Sequence, residues 1–186
     1  MMPFQNSSQK RIFRLCFLSI CTTVAIVLSI SESLLLPPLF LPGFKPGSAN
    51  AVVLLILFLD GKKSSFLVSV LRCFVCALAS GSAVSFLYSI CGSLFSWLIM
   101  VFFQSVLKDD FIWVVSIFGA LAHNFGQILI AVFLIGDVAV FYYFFPLAAF
   151  SVLSGLFVGI CSGFFIKKIS KLLKKLKKAL DFFKKM

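Results

Sequence analysis

Six polar or ionisable side chains of this 186-residue chain stand inside or at the ends of long apolar runs: Glu32, Asn50, Arg72, His123, Asn124 and Gln127. A guanidinium does not deprotonate in a protein, so Arg72 requires an anion or several carbonyl groups. Two solutions are open to it: an internal ion pair with Glu32 or Asp137, or the acidic group of a ligand met jointly with Lys45. His123 and Gln127 are four residues apart, and Asn124 and Gln127 three, so on a helix they share one polar face. Interhelical hydrogen bonding, ligand contact and a proton relay are the roles open to that face. Gly119 and Gly126 flank it and leave room for a neighbouring backbone or a ligand.

Catalytic motifs are absent. GKKSS at 61–65 ends like a phosphate loop, but Ile56 stands where its first glycine belongs. There is no GxSxG and no HExxH, and only one histidine. Asp109 and Asp110 are followed by Phe-Ile-Trp, so the DDxxD that holds magnesium for prenyl transfer is missing. Six cysteines (16, 21, 73, 76, 91, 161) lie in apolar runs, and one lone CxxC (Cys73, Cys76) with a distant histidine reads as packing, not as a zinc or redox centre. No metal and no cofactor is expected.

Composition says what must position these side chains. The chain is 61% hydrophobic and 12% charged, with 25 phenylalanines and mean hydropathy +1.13. Soluble domains carry about 25% charged residues, so a water-soluble globule is excluded. The net charge of +11 resolves into +3 up to Arg14, zero over 15–166, and +8 from Lys167 onward. Basic ends beside a neutral apolar body point to lipid headgroups and insertion topology, not to nucleic acid.

A helix needs about 20 apolar residues to cross about 30 Å of hydrocarbon. Six candidate spans follow: 12–32, a short one at 48–60, 64–80, 83–106, 111–135 and 138–166. The first runs on without a small-residue cleavage site, so it reads as a retained span with 1–11 as a cytoplasmic segment. With both termini in the cytoplasm, fifteen basic residues lie inside, Lys45 outside and Arg72 within a span. The fold expected is an all-α integral membrane protein of six transmembrane helices, the membrane domain covering 12–166.

The connection 34–50 is long, apolar and holds Pro37, Pro38, Pro42 and Pro46, which predicts a non-helical lid over the outer end of the bundle. The short second span then starts partway down, which is tolerated only where protein or a cavity covers the backbone. The tail 167–186 places Ile169, Leu172, Leu173, Leu176, Leu180 and Phe183 on one stripe with lysines opposite. It reads as a basic amphipathic interfacial helix on anionic lipid, with a solvated helix or a calmodulin-type target as alternatives. On the first span Cys21, Ala25 and Ser29 form a small-residue groove for another helix, within this chain or on a membrane partner.

Glu32-Ser33 followed by prolines, PGFKPGSAN (42–50), SVLRCFVCALASG around Arg72, SFLYSICG (85–92), GALAHNFGQ (119–127) and YYFFP (142–146) together resemble the bacterial Gx transporter family. That family is also labelled heptaprenyl diphosphate synthase component I, and is similar to the substrate-binding S components of energy-coupling-factor (ECF) importers. The resemblance spans roughly 12–166. It implies a six-helix substrate-capture subunit in the bacterial cell membrane, with an outward pocket under the loop between helices 1 and 2. It also implies an AxxxA face on helix 1 for a transmembrane coupling subunit, falling here on Cys21, Ala25 and Ser29, and two ATPase subunits to supply the missing phosphate loops. Lys45, Asn50, Arg72, His123, Asn124 and Gln127 are then the ligand-binding candidates, for a small metabolite of isoprenoid-like or anionic character. The competing readings are a non-catalytic membrane component of heptaprenyl diphosphate (menaquinone side-chain) synthesis and a small standalone channel.

Overall fold

The computed structural model describes residues 7–35, 47–107 and 111–183. Six α-helices account for nearly all of them: α1 (Ser7–Leu35), α2 (Ser48–Leu59), α3 (Lys62–Ser80), α4 (Ala83–Leu107), α5 (Ile112–Ile135) and α6 (Phe144–Phe183), with a 3-10 helix at Val138–Tyr143. No strand occurs among the described residues. Five of the helices are long and apolar enough to cross a membrane, and α2 is a shorter apolar helix. Exposed apolar side chains such as Leu78, Phe102, Phe133 and Phe157 cover their outer faces. Removing that much apolar surface from water is what a bilayer does for such a chain. The protein is an all-α, multi-pass membrane protein.

At 1.5 Å per residue the 12 residues of α2 reach about 18 Å, little more than half of the hydrocarbon. Its backbone is nevertheless covered, because α2 packs against all five other helices. Val53, Leu54 and Leu57 join Met100, Ile112 and Val115 in one core cluster, and Ile56 joins Ala25 and Val68 in another. The expected short, protein-covered second helix is what the chain forms. The prolines of the preceding connection, and Lys45, lie outside the described residues.

Helix α5 is clamped on both sides. A Cβ on Gly126 would stand 2.9 Å from the Cys91 carbonyl of α4, and one on Gly159 of α6 would stand 2.6 Å from the Trp113 Cα of α5. Ser151, Gly155, Gly159 and Gly163 recur every four residues along α6, so small side chains let two backbones approach. The same helix continues through Lys167 to Phe183 without a break. As far as Phe183 the basic tail is therefore a continuation of the last helix and not a separate element. Successive helices pack antiparallel, so the basic extension of α6 leaves the bundle at the same end as the start of α1. At that end Arg14 pairs with Asp60 at 2.8 Å and Lys62 donates to Ser105 at 3.0 Å.

Candidate functional site

The opposite end of the bundle carries a recess of about 170 Å³, walled by the last turns of α1 and α3 and the first turns of α2 and α4, with α5 behind. Arg72, Asn50, His123, Glu32, Ser29 and Ser89 are among its lining residues. Gly81, at φ +63, ends α3 with a left-handed turn that returns the chain into α4. That turn lays the C-terminal half of α3 against the N-terminal half of α4.

Arg72 is the one charged side chain buried among the described residues, 7% exposed. Its Nη1 donates to the Ser29 hydroxyl at 2.8 Å and its Nη2 to the Ser93 hydroxyl at 2.6 Å. Cys73 Sγ lies 3.8 Å from Nη2 and itself bonds Ser93 Oγ at 3.1 Å. Nε has no partner among the described atoms. Neither internal ion pair open to Arg72 forms. Glu32 instead accepts the Ser48 backbone N–H at the start of α2, at 2.5 Å, where a carboxylate complements the helix dipole. Asp137 accepts from the Ala139 N–H at 2.8 Å and starts the 3-10 helix. The guanidinium is thus held by hydroxyl dipoles, with no carboxylate among the described residues in direct contact with it.

The polar residues of α5 divide between two sides. His123 reaches the recess and bonds Gln127 Nε2 through its own Nε2 at 3.3 Å. Gly92 of α4 makes space for this ring, since a Cβ there would lie 3.0 Å from the imidazole. Asn124 turns to α6, donating to Ser151 Oγ at 2.5 Å, and Ser151 in turn donates to the Leu147 carbonyl. So the structure brings Asn50, Arg72 and His123 together, joins Gln127 to them through His123, and places Asn124 in a helix-helix contact. Consecutive residues sit about 100° apart on a helix, which is why His123 and Asn124 serve different neighbours.

A family profile described as heptaprenyl diphosphate synthase component I matches residues 21–165, well over half of the chain. The chain belongs to the heptaprenyl diphosphate synthase component I family. No curated protein and no solved structure matches it. In this family member the small-residue groove of α1 is occupied from within. Ala25 is fully buried against Val52, Ile56 and Val68, Cys21 packs on the same cluster, and Ser29 holds Arg72. Of the two neighbours open to the Cys21, Ala25 and Ser29 stripe, a helix of this chain or a membrane partner, the structure places α2 against Cys21 and Ala25.

Sequence reasoning missed the hydroxyl and thiol wall of the recess. Its signal was present: Ser82, just before α4, and Ser85, Ser89, Ser93 and Ser96 along it follow one another at spacings of three and four. Such a run is a polar face in an otherwise apolar helix. On α3, Ser65, Ser69, Arg72, Cys76 and Ser80 do the same.

Proposed function

We infer that this chain is the membrane-embedded substrate-capture component of an ECF-type importer and that it binds the acidic group of a small metabolite in the Arg72 recess. One observation carries the reading. A guanidinium buried to 7% exposure, bound by two hydroxyls and paired with no carboxylate among the described residues, lines an open recess. Burying a charge without a direct ion pair is costly, so a site that keeps one is suited to receive a counter-charge from outside. Asn50 Nδ2, buried and without a partner among the described residues, adds a second donor on the α2 side of the same recess.

The basic residues supply the orientation. Arg11, Arg14, Lys62, Lys63 and the tail lysines gather at the end remote from the recess, and the positive-inside tendency puts that end in the cytoplasm. The recess then opens outward, as capture from outside a bacterial cell requires. The tail lysines meet anionic headgroups of the inner leaflet. Energy comes from ATPase subunits through a transmembrane coupling protein. With the Cys21–Ala25–Ser29 groove filled, the coupling protein would meet the other side of α1, where Cys16, Ser19 and Thr23 are the exposed small residues.

Mild-detergent affinity purification from native membranes tests the assignment. Recovery of a membrane coupling protein with ATPases, and of an acidic small molecule by mass spectrometry, is the expected result. The family description favours a second reading, a non-catalytic membrane component of heptaprenyl diphosphate synthesis. Recovery of a soluble Asp-rich synthase in place of the ATPases would establish that one.

A further inference from the structure

A second recess, of about 570 Å³, adjoins the first and differs from it in chemistry. It lies between the outer halves of α4 and α5, the 3-10 helix and the start of α6, and its walls include Tyr88, Ile128, Ala131, Val140 and Leu147. No charged side chain among the described residues lines it. It is more than three times the size of the Arg72 recess (570 against 170 Å³) and within the range of about 300–1,000 Å³ usual for ligand pockets. Ser85 belongs to both walls, and the bonded pair His123 and Gln127 has one member in each recess. Gln127 is 2% exposed, and its Oε1 has no partner among the described atoms. A polar end with a cation and an apolar end with none therefore meet at a hydrogen-bonding waist.

We propose that the two recesses form one bipartite site for an amphiphile, its acidic head at Arg72 and Asn50 and its apolar body between α4, α5 and α6. This rests on the Arg72 reading above and adds the substrate class. The polar recess alone has room for about five or six waters at about 30 Å³ each, which suits a phosphate or carboxylate and little more. A purely hydrophilic metabolite would leave the larger recess unfilled. A neutral hydrocarbon would leave the guanidinium without its counter-charge. Only a molecule with both parts answers both ends.

The test uses the full chain in phosphatidylcholine nanodiscs, with radiolabelled methyl phosphate and octyl phosphate as probes and empty nanodiscs subtracted. These probes share a head and differ only in chain. Octyl phosphate is expected to bind at least about tenfold tighter than methyl phosphate, a step of about 1.4 kcal/mol. Ala131→Phe, which fills the apolar recess, should bring the two affinities to within about twofold while methyl phosphate binding stays as in the wild type. Should that variant fail to fold, Val140→Phe narrows the same recess from its other wall. Equal affinities on the wild type overturn the bipartite site and leave the Arg72 reading standing. Arg72→Gln binding methyl phosphate as tightly as the wild type overturns the Arg72 reading itself. A membrane phospholipid that co-purifies at one per protein and resists displacement by octyl phosphate assigns the recess to bilayer lipid, and overturns the proposal.

Discussion

Arg72 on α3 and Ser93 on α4 stand 2.6 Å apart, and Ser93 also takes a contact from Cys73 at 3.1 Å. A hydroxyl at a helix-helix seam thus orients the guanidinium toward the recess. Replacing Ser93 by Ala deletes one charge-assisted bond, for which about 1.5–3 kcal/mol is typical. We expect a lowered melting temperature in detergent and weaker binding of an acidic probe. Arg72→Gln should abolish that binding while costing little stability, because it removes the buried charge together with its solvation penalty. Melting curves and equilibrium binding on the two variants separate a positioning hydroxyl from the group that meets the ligand.

Two glycines of α6 one turn apart should behave in opposite ways. A methyl group at Gly159 would meet the Trp113 Cα at 2.6 Å, and backbone cannot yield as a side chain does. Gly159→Ala is expected to destabilise by about 1–3 kcal/mol through overpacking. At Gly163 the nearest atom is 3.9 Å away, on the Ile112 side chain. Gly163→Ala should be neutral or stabilising by up to about 1 kcal/mol through helix propensity. Thermal unfolding followed by size-exclusion monodispersity reads both.

Much of this was legible in the chain itself. Apolar run lengths bounded by charges and glycines give helix limits close to those observed: 83–106 expected against Ala83–Leu107, and 111–135 against Ile112–Ile135. Arg72 and His123 were visible because polar groups in lipid are costly and therefore few. What the sequence left open was direction. The period of a helix gives a face but not the neighbour that face meets, so Asn124 went to Ser151, and Ala25 went into the core of its own chain. The extent of α6 was missed for a related reason. Lysines mark where lipid ends, yet nothing between Phe165 and Lys168 breaks a helix, and it runs on to Phe183.

Orientation is measurable with single cysteines in a chain whose six native cysteines are replaced. Val138→Cys lies at the recess end, 75% exposed, and Lys168→Cys at the basic end. A membrane-impermeant maleimide applied to intact cells should label position 138 and spare position 168, and inverted vesicles should give the reverse. The opposite pattern would place the recess in the cytoplasm and remove import as its purpose.

Glu32 provides the sharpest test of the sign of the ligand. Its carboxylate caps α2 through the Ser48 N–H and lines the same recess as Arg72, so it offsets part of the positive potential there. Glu32→Gln keeps an oxygen acceptor for the N–H but removes the charge. The helix-dipole contribution lost is about 0.3–1 kcal/mol, a small change in melting temperature. Affinity for an acidic probe should rise severalfold, because one repulsive charge is gone from a site of low dielectric. The rise should shrink as salt is added to the extent that the recess is open to solvent, since ions screen exposed charges more than buried ones. A fall in affinity at every salt concentration would mean that Glu32 attracts the ligand. The occupant would then carry a cationic group, and the pairing of an acidic head with Arg72 would have to be abandoned.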